Sequence, residues 1–248
     1  MNIWGKLVGG AAGFALGGPI GALLGAVAGH AVDKLAEAET IPPTEEEERA
    51  ATRQIAFTIG IIALGAKMAK VDGVVSRAEI TAFRQVFTVP PEEEKNVGRI
   101  FDQARRDARG FEPYARQIAR MFRKKSPVLE GLLDGLFHIA KADGRVSEEE
   151  LGYLRDVARI FGFEEPDFAR IRENHLGPDE SDPYSLLGVR RDMDDATIKA
   201  IYRKLVRAIH PDRLVAKGMP PDFVAIANQR LAAVNVAYDR IRKERGIS

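Results

Sequence analysis

Three groups of residues in this chain carry types and spacings that could do chemistry. His210-Pro211-Asp212 sets an imidazole, a rigid ring and a carboxylate side by side. An imidazole next to a carboxylate suits proton transfer, but no nucleophile and no orienting acid stands around it in a catalytic pattern. A contact role is expected for it instead. Just upstream, Lys199, Arg203 and Arg207 recur every four residues, which is one helical face, and Lys204 widens that ridge. A ridge of this kind suits an acidic partner surface, where it raises the association rate and fixes orientation. The third group is Asp72, Glu79, Asp143 and Glu150, which lie in a repeated pattern: AKVDGVVSRAEI at Ala69–Ile80 and AKADGRVSEEEL at Ala140–Leu151. Four carboxylates could converge on a divalent cation. Each also has a structural use: Asp-Gly makes a turn, Ser76 or Ser147 caps the next helix, and Glu79 or Glu150 returns the bond. Ligands at the alternate loop positions of an EF-hand are missing, so the capping reading is preferred and the metal reading stays open. No cofactor is expected.

The elements that must position these residues are helices. Ile198, Ile201, Tyr202, Leu205 and Ile209 recur at three and four, which predicts a helix from about Asp195 to Ala208 with a core-facing stripe. Pro211 disfavours helix at His210, so the tripeptide is expected at the mouth of a loop running through RLVAKGMPPDF. A second helix then presents Leu231, Val234, Ala237, Tyr238 and Ile241 to the first. Residues 183–248 hold 13 Lys plus Arg against 7 Asp plus Glu, a net of +6 hidden under an overall +1.

From about Glu48 to His175 the pattern is also helical, with start signals at Ser76, Pro91, Ser126-Pro127, Ser147 and Pro166. The repeat reads as a duplicated helical hairpin. His138, between Phe137 and Ile139, is expected to be a packed core histidine. Ahead of this region, AEAETIPPTEEEER reads as an acidic linker, and Thr44 could open the next helix with a capping box.

The N-terminus is different. Leu7–Gly29 is free of charge, and glycine falls at Gly9, Gly13, Gly17, Gly21, Gly25 and Gly29. At helical rise the run would extend ~35 Å, enough to cross the hydrocarbon core, with Trp4 and Lys6 at its edge. Spaced by four, the glycines would form a groove where a second copy packs closely, giving a homodimer. Two alternatives remain. Ala26-Val27-Ala28 resembles a signal-peptide cleavage site, and Gly17-Gly18-Pro19 could turn the chain back to the same face. The expected organisation is a membrane segment at 1–33, a linker at 34–47, a helical domain at 48–176, a linker at 177–182 and a basic module at 183–248.

Composition sets outer limits. Hydrophobic residues make up 45% and charged residues 29%, with no cysteine, so disulfides, thiolate metal sites and thiol nucleophiles are excluded. The near-zero net charge argues against a chain that coats nucleic acid. One basic helix, whose nearby tyrosine Tyr202 lies on the apolar face, adds little to that reading.

DPYSLLGV at Asp182–Val189, IYRKLVRAIHPD at Ile201–Asp212 and VNVAYDRI at Val234–Ile241 resemble the three core blocks of a J domain in order and spacing. With the long loop HPDRLVAKGMPPDF, the D-G-x-V-S-x-x-E repeat and the N-terminal segment, the chain resembles the DjlA-type membrane-anchored J proteins over nearly its whole length. The resemblance implies an all-α protein: an N-terminal transmembrane helix, a TerB-like helical bundle and a C-terminal J-domain helical hairpin. It also implies a co-chaperone without enzymatic activity. His210, Pro211 and Asp212 would contact a DnaK-type chaperone ATPase near its ATPase domain and interdomain linker, with Lys199, Arg203, Lys204 and Arg207 alongside. The expected location is the bacterial inner membrane, single-pass, with the bulk of the chain cytoplasmic. The alternative is a TerB-like envelope-stress interaction scaffold, with divalent-metal binding in the same helical domain. Arg213 stands where J domains commonly carry Lys. The glycine/phenylalanine-rich linker and cysteine-rich zinc domain of larger J proteins are missing, which puts an independent substrate-holding role in doubt.

Overall fold

The computed structural model describes residues 17–28, 45–69, 71, 80–83, 94–106, 110–142, 144–176, 182–220 and 224–246. All regular structure among the described residues is helical, as the three-and-four periodicity requires. Glycine-rich α1 (Gly18–Ala28) is followed by α2 (Glu45–Met68), α3 (Glu94–Arg106) and α4 (Glu112–Met121). Then come α5 (Pro127–Ala140), α6 (Glu148–Ile160) and α7 (Glu165–Leu176). The C-terminal part holds α8 (Pro183–Leu187), α9 (Asp195–Ile209), α10 (Pro211–Ala216) and α11 (Val224–Arg245).

The centre of the first body is α2 from Ile55 onward and α5, whose side chains there are buried nearly all round except at His138. Ile59, Ile62, Leu132, Leu133 and Phe137 form its middle, and the other helices lay one face on it. α5 starts where Ser126 caps it with Pro127 in the first turn, the chemistry that suits an orphaned N-terminal N–H. At α6 the capping box is complete. The Ser147 N–H donates to Glu150 Oε2 at 2.8 Å, and the Glu150 N–H donates to Ser147 Oγ at 3.1 Å. The buried Tyr153 hydroxyl donates to the Leu64 carbonyl at 2.8 Å and ties α6 to α2.

The second body is the α9–α11 hairpin closed by α8, with Ile198, Ile209, Val234, Tyr238 and Ile241 in its core. Tyr202 stacks on Tyr238 with ring centroids 3.8 Å apart. Its hydroxyl donates to Asn235 Oδ1 at 3.0 Å. Arg245 donates to the carbonyls of Met193 and Arg191 and to the Asp195 carboxylate, closing the end of the hairpin.

The N-terminus departs from the expected continuous helix. No helix among the described residues is long and apolar enough to cross a membrane. α1 spans 11 residues, about half the length that the hydrocarbon core demands. Gly17 and Gly18 both have positive φ, so the helix cannot continue back through them, and Gly17 falls outside the helical glycine register. Ile20 and Leu23 are buried in the core of the first body. Gln117 of α4 holds the start of α1 at both ends of its amide. Its Oε1 accepts from the Ile20 N–H at 3.0 Å, and its Nε2 donates to the Gly17 carbonyl at 3.0 Å. Gly9, Gly13 and Gly29 lie outside the described residues.

Candidate functional site

The basic ridge and the tripeptide come together on one surface of the hairpin. α9 is capped by Asp194, whose Oδ1 accepts from the Thr197 N–H at 2.8 Å, and it runs to Ile209. Its apolar stripe faces α11, which turns Arg203, Lys204 and Arg207 outward, with Lys199 half-buried beside them. His210 ends α9 and opens α10, its Nδ1 accepting from the Asp212 N–H at 3.3 Å. The acceptor role of Nδ1 places the proton of a neutral ring on Nε2. Pro211 is buried, while the His210 side chain is 47% and the Asp212 side chain 91% exposed. The tripeptide is therefore an exposed imidazole and an exposed carboxylate on either side of a fixed proline. Arg213 turns back, its Nη1 donating to the Arg207 carbonyl at 3.4 Å, where a cation meets the negative end of α9.

The segment after the tripeptide differs from the expected loop. Residues 211–216 form helix, and Gly218, at φ +101°, then turns the chain. The cause is tertiary. Leu214 and Met219 are buried in the core of the first body, together with Ile226 and Ala227 from the start of α11. Met219 sits so close to α5 that a Cβ on Gly131 would lie 2.9 Å from its terminal methyl.

Beside that apolar contact lies a cluster that sequence reading missed. Arg230 of α11 ion-pairs with Glu130 and, at 3.2 Å, with Asp134, both on α5. Arg170 of α7 reaches Glu130 at 2.6 Å, and His175 Nε2 donates to Asp134 Oδ1 at 2.8 Å. The His175 ring also stacks on Phe137, centroids 4.9 Å apart. A cavity of about 190 Å³ in the seam is lined by Asp134, His138, Arg170, His175, Gln229 and Arg230 among others. His138 is exposed on this side and is not the packed core residue expected. Helical spacing explains it: Asp134, His138 and Lys141 lie at i, i+4 and i+7, a polar stripe on an otherwise apolar helix.

Burial alone would raise both carboxyls, but the charges of Arg230 and Arg170 hold Glu130 and Asp134 below their ordinary values, helped at Asp134 by the hydrogen bond from His175. Burial alone would likewise lower the Arg230 guanidinium, and the two carboxylates outweigh it. Depressed carboxyls bind fewer protons in the native state than in the unfolded one, so their stabilisation exists above the ordinary carboxylate range and fades as pH falls through it. The carboxyls' contribution to the thermal midpoint should therefore be fully present at pH 7 and be lost below about pH 4. The loss should be smaller in Asp134→Asn, measured by scanning calorimetry on the full chain.

Of the four candidate metal ligands, Asp72, Glu79 and Asp143 lie outside the described residues. Glu150 is occupied by the capping box. No group of three or more ligating side chains able to hold a metal ion occurs among the described residues.

Comparison with known proteins gives three family matches in succession along the chain. The family model for the co-chaperone DjlA transmembrane domain matches residues 1–54. That for the tellurite resistance protein TerB matches residues 58–173, and the DnaJ domain model matches residues 182–245. Among the curated relatives, a co-chaperone protein DjlA from Photobacterium profundum is 29% identical, the match covering 98% of this chain and 99% of the relative. Proteins of the same description from Coxiella burnetii and Escherichia coli are 27% and 26% identical. Those matches cover all of both chains for the first and 99% of each for the second. No solved structure matches. Three family models in succession on one chain, and relatives similar from end to end, support a DjlA-type J-domain protein.

Proposed function

We propose that this protein is a membrane-anchored co-chaperone that recruits a DnaK-type chaperone and stimulates its ATP hydrolysis through His210, Pro211 and Asp212. One observation carries the reading. The tripeptide and the ridge of Lys199, Arg203, Lys204 and Arg207 share one surface, with His210 and Asp212 exposed and Pro211 fixed beneath. The ridge steers an acidic partner surface towards the tripeptide, and the rigid α9–α10 junction presents it in one orientation. Relatives described as co-chaperone proteins support the class of activity. Nucleic acid is a poorer partner for the same ridge: the ring of Tyr202 is stacked on Tyr238 and unavailable to a base.

The match of residues 1–54 to a transmembrane family model supports an anchor in the inner membrane. An ATP-dependent partner requires the J domain in the cytoplasm, which puts the N-terminus on the far side. Addition of the full chain should accelerate single-turnover ATP hydrolysis by a DnaK-type chaperone at least about tenfold, a modest gain on the scale of catalytic effects. No acceleration at any concentration of the chain would end this reading and favour the scaffold role.

A further inference from the structure

We propose that the helical domain is the positioning element of the His-Pro-Asp segment: by docking α10 and the turn after it, it holds the tripeptide in the form that its partner binds. This inference rests on the co-chaperone reading for its consequence, but its structural half does not.

The segment after the tripeptide is too short to hold itself. α10 has six residues, below the length at which a helix persists alone in water, and glycine and proline breaks fall within four residues of its end. Its stability therefore comes from what its side chains touch. α10 packs on α9 and α11 of its own hairpin, and its buried side chains, Leu214 and then Met219 in the turn (2% and 1% exposed), join the core of the other body. The approach is close at Gly131, where a Cβ would lie 2.9 Å from the Met219 methyl. Arg230 then fixes the register. Its guanidinium is aimed at two carboxylates one helical turn apart on α5, which only one placement of α11 along α5 satisfies. The apolar contact supplies affinity and the charge cluster supplies position. Because Pro211 is the first residue of the docked helix, holding α10 holds the backbone of the tripeptide as well.

Arg230 is accordingly a positioning residue. Its guanidinium is in the seam against Glu130 and Asp134, and it has no place in the partner-binding surface described above. Undocking would leave the tripeptide exposed but variable, and a partner that binds one form would see only the fraction in that form. Half-maximal stimulation would then need more of the chain, while the rate at saturation would stay the same.

The test uses the full chain in detergent micelles, with two readouts. Hydrogen exchange reports residues 211–220 without any partner. Titration of the chain against single-turnover ATP hydrolysis by a DnaK-type chaperone gives the half-maximal concentration and the plateau separately. Arg230→Ala should raise exchange at 211–220 at least about tenfold and raise the half-maximal concentration by a similar factor at unchanged plateau. Exchange within 127–160 should not move. Arg230→Lys, which keeps the charge and loses the fork, should fall between. Met219→Ala removes the apolar half of the dock without touching a charge and should act in the same direction. Unchanged exchange at 211–220 in both Arg230→Ala and Met219→Ala would overturn the docking. Raised exchange with an unmoved half-maximal concentration would overturn the positioning role. Failure of wild-type chain to stimulate at all would instead strike the co-chaperone reading, with the exchange result standing on its own.

Discussion

His210→Gln should remove the acceleration of ATP hydrolysis at concentrations where wild-type chain gives it, and leave the protein folded. The ring does little for the structure: Nδ1 accepts one exposed hydrogen bond from the Asp212 N–H at 3.3 Å, and the hairpin core beneath contains no atom of it. Losing that bond costs well under about 1 kcal/mol, since water and the glutamine amide replace it. The partner loses more. In the proposed function the exposed imidazole beside a fixed proline is an interface anchor, where truncation costs about 2 kcal/mol or more. That is roughly a thirtyfold rise in the half-maximal concentration, and a larger loss if the ring also orients groups at the partner's ATPase. Circular dichroism and the thermal midpoint check the fold, and single-turnover hydrolysis checks the function. Stimulation that survives the substitution at wild-type concentrations would remove the tripeptide from the mechanism.

The parts of this protein that are legible in the sequence are those set by neighbours along the chain. The α9 stripe, the Ser147 capping box and the tripeptide at a helix end depend on spacings of two to four residues, and periodicity and capping chemistry report those directly. The seam between the bodies depends on pairs such as Arg230 with Asp134, 96 residues apart, which no local pattern encodes. A signal is present nonetheless. In PVLEGLLDGLFHIA, Glu130 and Asp134 stand four apart in a helix that is apolar elsewhere except at His138, each followed by a glycine. Charges on a helix buried all round demand partners, and glycines on it mark a close approach. The segment after Asp212 reads as loop for the same reason: a six-residue helix owes its existence to Leu214 and Met219 in another body's core, and propensity carries none of that. His138 misleads in the opposite way, its apolar neighbours in sequence outweighing the helical spacing that puts it beside Asp134.

The N-terminal segment shows a different limit. Composition alone gives Leu7–Gly29 a membrane, and the family model over 1–54 points the same way. In the structure, Ile20 and Leu23 of α1 are packed against the helical domain. Small residues suit both settings, because a glycine face lets any helix come close, whether the neighbour is another anchor or α2 and α4. The residues that distinguish the two lie on the receiving side. Gln117 is one, since its amide binds both the Ile20 N–H in the first turn of α1 and the Gly17 carbonyl.

Phe137→Ala should cost the helical domain about 3–5 kcal/mol while sparing the J hairpin. The ring is fully buried on α5, stacked on His175 at 4.9 Å and tilted against Phe168 at 6.0 Å. It is therefore the piece that α7 is built around. A cavity there cannot close cheaply, because α5 is packed against several helices and its backbone cannot move towards one neighbour without leaving another. His175 would lose the surface that orients its bond to Asp134, so the damage reaches the seam as well as the core. The hairpin core of Ile198, Ile209, Val234, Tyr238 and Ile241 shares no residue with this cluster. Two denaturation transitions should then separate in the variant, the one reported by residues 127–176 moving down in urea and the one reported by 195–245 staying within about 1 kcal/mol. Phe137→Leu, which keeps most of the volume, should lose about a third as much. If both transitions fall together by the full amount, the two bodies unfold as one unit and the seam is as strong as either core.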